Sequence, residues 1–196
     1  MKKIFIILAS IVVLAGLLPS MAMAVPTDYD TVRRFLTSVD FQDYSEFDQD
    51  LLPGILIDII ENDPEDAEYH ERVLESALVV LGQLHVDEAI DVLIDNLEGN
   101  TTTCLYWLGT FASPDAVNAI VPWIENDDAS IRYEAVSALS TLPAMDEDAE
   151  EEAVEEYEEA VMAALEAIYN AMSDEEDEDV RSIMSEALVS ISTNTL

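Results

Sequence analysis

Few residues of this chain have the types and spacing that chemistry at an active site would need. It contains two histidines, His70 and His85, and one cysteine, Cys104. Nucleophilic catalysis needs a hydroxyl or thiol beside a base that a third group orients, and no such set is spaced together here. The five glycines form no glycine-rich phosphate loop. We therefore assign no catalytic residue and no cofactor from the sequence, and we expect a protein that is not an enzyme.

Carboxylates are the abundant reactive groups. Residues 146–159 contain ten acids in fourteen positions, and residues 174–179 are six consecutive acids. Carboxylate oxygens are the ligands that calcium takes in proteins, so one hypothesis is a cation-binding or charge-buffering protein acting through these two runs. No glycine stands where an EF-hand loop requires one, and the alternative is a solvated turn and a solvated helix face. We assign no metal ligand.

The first 24 residues have the pattern of a Sec-type signal peptide. Lys2 and Lys3 form a basic start, an apolar run covers 4–18, and Ala22-Met23-Ala24 matches a cleavage site. An uncleaved anchor is the alternative, but the run is shorter than the ~20 residues that span a bilayer. We expect cleavage after Ala24, a secreted or periplasmic location, and no membrane span in the remaining chain.

Loss of that segment would leave a strongly acidic chain. No lysine would remain, and five arginines would stand against 43 acidic residues, a formal charge of −38. Nucleic acid and anionic membrane surfaces are then poor partners because they would be repelled. Cationic proteins or peptides, metal ions or a saline medium are more compatible, and adaptation to a salty habitat is one hypothesis. With a single cysteine the exported chain has no internal disulfide.

A helical pattern is written twice in the middle of the chain. Residues 78–97 and 105–124 carry the same order of apolar positions, 27 residues apart, with Gly82 and Gly109 at the same offset. A shared period of this length indicates stacked helical repeats, because one helix pair cannot bury its apolar face alone. We predict an all-α fold, a right-handed α-solenoid of about four helix pairs.

The elements can be placed from caps, prolines and apolar spacing. A capping region at 25–50 should hold a short helix capped by Thr27 or Asp28. Pro122 should kink the helix that contains it. The fourth helix pair contains an insertion equal to about five helical turns. It predicts one long helix that projects from the body, with an acidic extension at about 146–160. The repeat domain covers 51–193, and residues 194–196 are a tail. The predicted helix pairs are 51–60 with 66–84, 87–98 with 101–111, 114–125 with 129–142, and 148–172 with 179–191.

The last two pairs share a signature. Asp128-x-x-Ile131-Arg132-x-x-Ala135-x-x-Ala138-Leu139 aligns with Asp177-x-x-Val180-Arg181-x-x-Met184-x-x-Ala187-Leu188. This resembles HEAT repeats, in particular the short type first described in phycobilisome bilin lyases, over about residues 50–193. Bilin lyase activity would be an analogy of fold alone, and export argues against it.

The resemblance implies roles for particular side chains. In HEAT repeats the aspartate and arginine bond across neighbouring repeats, which implies a structural ladder of Asp128, Arg132, Asp177 and Arg181. In the second pair Thr101 stands where arginine is expected, while Cys104 and Trp107 stand where alanines are expected. Cys104 should therefore be a buried thiol, and Trp107 should fill space beside Gly109.

HEAT arrays use their second helices as the concave binding face. Opposite the core stripe of those helices lies a mostly uncharged row, in which tyrosines offer rigid, amphipathic contact area. The row includes Val79, Gln83, Tyr106, Tyr133, Ser137 and Glu186. The leading hypothesis is an exported HEAT-repeat scaffold that binds a protein or peptide along this face, with the acidic arm selecting cationic partners. The alternative is the calcium-binding or charge-buffering protein described above.

Overall fold

The computed structural model describes residues 25–38, 41, 43–145 and 148–194, with Asn194 described by its backbone alone. Over these ranges the chain forms nine α-helices, one 3-10 helix and no strand, so the all-α prediction is confirmed there. The predicted signal peptide and most of the predicted tail lie outside the described residues. Among the described helices, none combines the length and the apolar character that crossing a membrane requires.

The helices follow the order that the sequence predicts. The 3-10 helix lies between α6 and α7, at Val121–Glu125. The α-helices are α1 Tyr29–Leu36, α2 Leu52–Asn62, α3 His70–Leu84, α4 Glu88–Asp95, α5 Thr101–Leu108, α6 Pro114–Ile120, α7 Ala129–Ser140, α8 Glu151–Met172 and α9 Glu178–Asn194.

Local capping and backbone geometry set two of these boundaries. The Asp28 carboxylate accepts a hydrogen bond of 3.0 Å from the Thr31 amide and starts α1, as the sequence predicts. Helix α3 begins at His70, four residues later than predicted. The reason is Tyr69, whose φ of 65° is left-handed and cannot continue a right-handed helix.

Pro122 acts on the helix that contains it. Helix α6 ends at Ile120, and the chain continues as the 3-10 helix that includes the proline. Proline lacks the amide hydrogen that an α-helix needs at this position, and its ring crowds the preceding turn. The predicted disturbance therefore takes the form of a change of helix type.

The long acidic helix packs on the body instead of projecting from it, so that part of the prediction is wrong. Helix α8 contacts α6, the 3-10 helix and α9. Tyr157 lies in its acidic first half and is buried, with its hydroxyl donating to the Pro143 carbonyl at 2.7 Å. The apolar stripe continues at three- and four-residue spacing into the acidic half, so burial continues with it. Residues 146 and 147 lie outside the described part.

The helices contact one another in two rows. Helices α3, α5, α7 and α9 contact in succession, and so do α4, α6 and α8. Helices α2, α4 and α8 also pack against the helix that follows them, and α6 and the 3-10 helix both pack against α7. One continuous apolar core runs between the rows, from Val32 to Ile191.

Two glycines allow close approach within the row of second helices. The space where a Gly82 side chain would lie is filled by the Trp107 ring. A Cβ on Gly109 would lie 2.5 Å from the Ala138 carbonyl oxygen, so α5 and α7 meet there backbone to backbone. The Trp107 ring, which the sequence predicts to fill space beside Gly109, packs on Gly82, and the nearest atoms to a Cβ on Gly109 belong to Ala138.

Candidate partner-binding groove

An ion pair joins the start of α7 to the loop before α9. The Arg132 guanidinium donates from Nε and Nη2 to the two Glu175 carboxylate oxygens, each at 2.7 Å. Arg132 Nη1 also donates to the carbonyls of Asn126 and Asp127 at 2.9 and 3.2 Å. The hydrogen bond from Arg132 holds the pKa of Glu175 at about 2, against the opposing effect of burial. The bidentate pair fixes the register of α7 and α9.

The observed ion pair uses a different acid from the structural ladder that the HEAT resemblance implies. Asp128 and Asp177 each cap the helix that follows: Asp128 accepts from the Ser130 amide at 2.8 Å, and Asp177 from the Val180 amide at 3.1 Å. Arg181 donates to the Glu175 carbonyl. The link between the two pairs is thus Arg132 with Glu175, not arginine with aspartate. An aspartate that caps its own helix has its oxygens occupied locally.

The predicted row of the second helices is only partly one surface. Tyr106 and Tyr133 are 59% and 39% exposed, and Glu186 is exposed. Val79, Gln83 and Ser137 are half-buried. The Oε1 of Gln83 is buried and accepts no hydrogen bond from the described residues.

Tyr133 and Glu186 line a groove between α7 and α9. It has a volume of about 530 Å³ and is also lined by Ala129, Ser130, Glu134, Asp177, Asp179, Val180, Ser182 and Ile183. We call it the second-helix groove. Tyr106 lies outside it and meets Trp107 edge to face, with ring centroids 4.9 Å apart. The groove is therefore shorter than the row that the sequence suggests.

The charge of the second-helix groove has one sign. Four of its lining side chains are acidic: Glu134, Asp177, Asp179 and Glu186. Of the described residues that line it, none is lysine, arginine or histidine. A tyrosine face with several carboxylates suits a cationic side chain, which can stack on the ring and pair with an acid.

A second polar cluster, which the sequence did not reveal, surrounds Asp63. The Asp63 side chain is 1% exposed and accepts from Arg33, from His70 Nδ1 at 2.9 Å and from the Tyr29 hydroxyl at 3.2 Å. Burial alone would raise the pKa of Asp63, but the hydrogen bonds from Arg33 and His70 outweigh it and lower that pKa. Arg33 also donates to the Glu68 carbonyl at 3.1 Å.

This cluster anchors α1 to the turn between α2 and α3. Arg33 and Tyr29 come from α1, His70 begins α3, and each of them has its polar atom directed at the same carboxylate. No partner for His70 could be read from the sequence, because Arg33, Tyr29 and Asp63 come together only in the fold. The available signal was the adjacent pair Arg33 and Arg34, in a chain with five arginines and two lysines.

The remaining candidates for chemistry fall at separate places. Cys104 is fully buried, and burial raises the pKa of its thiol to about 12. His85 caps α3, stacks on Phe111 with ring centroids 4.3 Å apart, and has Nε2 at 2.9 Å from the Thr110 carbonyl oxygen. Among the described residues, no three His, Cys, Asp or Glu side chains are grouped so that they could hold a metal ion.

No family model matches the chain, and no curated protein matches it. One solved structure that matches is a crystal structure of an engineered protein. It is 15% identical, with 85% of this chain and 97% of that chain covered, and the TM-score is 0.41. That score is too low to establish a shared fold.

Proposed function

We propose that this protein is an exported, non-catalytic scaffold of HEAT-like helix pairs that binds a protein or peptide partner in the second-helix groove. The observation that carries the proposal is the groove itself: an exposed tyrosine, Tyr133, beside four carboxylates, with no cationic side chain among the described lining residues. A groove of this composition favours an extended or helical segment that carries lysine or arginine.

The proposed architecture is a right-handed α-solenoid. The successive contacts of α3, α5, α7 and α9, and those of α4, α6 and α8, support it. The HEAT signature in α7 and α9 supports it at the level of sequence. In such an arrangement the second helices present a continuous edge, and the second-helix groove lies on that edge.

Export rests on the N-terminal sequence pattern. A basic start, an apolar run and an A-x-A site precede residue 25. The proposed location is the periplasm or the medium, where cationic proteins and peptides are accessible to an acidic binder.

Site-specific photo-crosslinking tests the binding proposal. A photoreactive amino acid at Ser182, an exposed position in the groove, should form covalent adducts with a partner in the exporting cell. Adding Tyr133→Ala and Glu186→Gln should remove these adducts, because both side chains line the same groove. Asp91, exposed on α4, is the matched control position for the photoreactive residue.

Two outcomes would reject the proposal. Adducts at Ser182 that persist in the Tyr133→Ala, Glu186→Gln background would show that the groove does not select them. Equal adduct patterns from Ser182 and Asp91 would indicate random collision.

A further inference from the structure

The outer face of the last two helices carries a second groove, separate from the second-helix groove. It lies between α8 and α9 and has a volume of about 590 Å³. Met162 and Tyr169 on this face are 54% and 66% exposed, and Val189 on α9 is 64% exposed. The groove is lined by Glu159, Met162, Ala163, Leu165, Glu166, Tyr169, Leu188 and Ser192, and we call it the end groove.

Apolar exposure of this kind is unusual at the end of a helical stack. The outermost face of a repeat protein has no further repeat to cover it, and solubility normally requires it to be polar. Large apolar side chains grouped between polar ones on a surface mark an interaction site.

Acidic residues continue the same face of α8 toward its N-terminus. Glu155, Glu158 and Glu159 line a shallow depression together with Met162. The spacing of three and four residues places all of them on the side of α8 that carries Tyr169. Of the described residues that line the end groove or this depression, none is basic. The face is therefore acidic at the N-terminal end of α8, and toward Tyr169 it carries apolar side chains together with Glu166.

We propose that the end groove docks an amphipathic helical segment of a cationic partner protein. The apolar side of that segment would cover Met162, Tyr169 and Leu188, and its lysines or arginines would lie beside Glu155, Glu158 and Glu159. The distance along α8 from Tyr169 to Glu155 is about 21 Å at 1.5 Å per residue, so the bound segment spans roughly four turns. The basic residues of the bound segment are concentrated at the end that lies beside Glu155, Glu158 and Glu159.

Charge selects this occupant over a second copy of the chain. A symmetric dimer through the end groove would place the same surface on both sides of the interface. Glu159 and Glu166 line the groove, so such a dimer would bring carboxylates together without a cation to pair with them. Like charges across an interface oppose association. An acidic partner is disfavoured for the same reason.

Binding of designed peptides to the full chain tests the proposal. The probe is a fluorescent amphipathic helix of about four turns with a leucine stripe and lysines at one end, in both end-to-end orientations. Fluorescence anisotropy should show one of these peptides binding at least about tenfold tighter than a version with glutamates for lysines or a version with the stripe scrambled. If the peptide with the scrambled stripe bound with equal affinity, charge alone would account for binding, and the proposal would be overturned.

Variants of the protein locate the site. Met162→Ser with Tyr169→Ser should weaken the peptide at least about tenfold. Both side chains are more than half exposed, so the fold should be retained and circular dichroism can check it. Glu155→Gln with Glu158→Gln should reduce the salt dependence of binding. Asp91→Asn, at an exposed position of α4 outside both grooves, should leave binding unchanged.

Two results would overturn the assignment. One such result is that Tyr133→Ala loses peptide binding while the Met162, Tyr169 double variant keeps it. The peptide would then bind in the second-helix groove, and the result would support the proposed function alone. A dimer in sedimentation equilibrium that Tyr169→Ser dissociates would make a second copy the occupant. Failure of the Ser182 crosslinking experiment would not affect this inference, because the two grooves share no lining residue.

Discussion

The Arg132–Glu175 ion pair fastens the loop before α9 to the start of α7. Its side chains are 17% and 4% exposed, so the pair is largely removed from solvent. Both oxygens of Glu175 are engaged by Arg132, and Oε1 also accepts from the Asp177 amide at 2.9 Å. A carboxylate held in this way loses much of its stabilisation when its cation is removed, because it stays buried without a charge partner.

Replacing Arg132 should destabilise the protein. We expect Arg132→Met to lower the free energy of unfolding by about 2 kcal/mol, since charged hydrogen bonds to a buried carboxylate are lost. Urea unfolding measures the change. Arg34→Met is the control: it removes the same charge from an exposed position of α1 and should change the free energy by less than about 0.5 kcal/mol. Equal losses in the two variants would contradict a specific role for the ion pair.

The same pair predicts a dependence on pH. Arg132 lowers the pKa of Glu175 from 4.5 to about 2 in the folded protein, so the unfolded chain takes up this proton first as the pH falls. The contribution of Glu175 is fully present above pH 4.5 and is lost as the pH falls toward about 2.

Glu175→Gln, which cannot titrate, isolates this effect from the other acids. The difference in unfolding free energy between the native protein and Glu175→Gln should be constant above pH 4.5 and should narrow below it. Urea unfolding at neutral pH, and at pH values between 4.5 and about 2, measures the free energy of unfolding of both proteins. A constant difference throughout would show that Glu175 keeps an ordinary pKa.

Helices α5 and α7 depend on a backbone contact at Gly109. Its φ is −64°, so the glycine is not needed for an unusual conformation. It is needed because a Cβ would lie 2.5 Å from the Ala138 carbonyl oxygen and 2.8 Å from the Ala138 Cα. Since these are backbone atoms, a side chain at 109 would have to push the two helices apart.

Alanine at Gly109 should therefore be destabilising. We expect Gly109→Ala to lower the free energy of unfolding by about 1–3 kcal/mol, the usual range for overpacking. Gly54→Ala, inside α2 with nothing within 4 Å, is the matched control and should raise stability by about 0.5–1 kcal/mol through helix propensity. Thermal melts of the two variants compare them directly. An unchanged stability of Gly109→Ala would contradict this prediction, because α5 and α7 could then separate without loss of stability.

At the scale of the whole molecule, acidity dominates. The 43 acidic residues are opposed by seven lysines and arginines in the full sequence. Of the five arginines in the sequence, Arg33 and Arg132 each pair with a buried carboxylate. The surface acids therefore have few cations to pair with, and self-repulsion opposes the compact state.

Salt should relieve this repulsion. We expect NaCl to raise the melting midpoint, because charges are screened over roughly 10 Å at 0.1 M ionic strength. Circular-dichroism melts in NaCl and in CaCl2 at equal ionic strength measure the effect. Equal midpoints in the two salts would fit screening of a solvated acidic surface. A further rise in CaCl2 would favour the cation-binding alternative, and no rise in either salt would contradict the repulsion argument.

The sequence by itself determined the helical class, the order of the helices and many of their ends. Apolar positions at three- and four-residue spacing, the Asp28 and Ser113 caps and Pro122 are local signals, and local signals are readable without a fold. The burial of Cys104 also followed from its position in a repeated pattern.

Tertiary structure alone decided which acid pairs with which cation. Glu175 lies within six consecutive acids that look equivalent in sequence, yet only its side chain among them is buried. Asp63 meets Arg33 because α1 folds back over the turn that holds Asp63, and His70 pairs with the same carboxylate. Helix α8 packs along the body for a similar reason, since its apolar stripe has a neighbour only once α6 and α9 are in place. The Arg33–Asp63 and Arg132–Glu175 contacts join residues 30 and 43 positions apart, and no periodicity along the chain encodes that pairing.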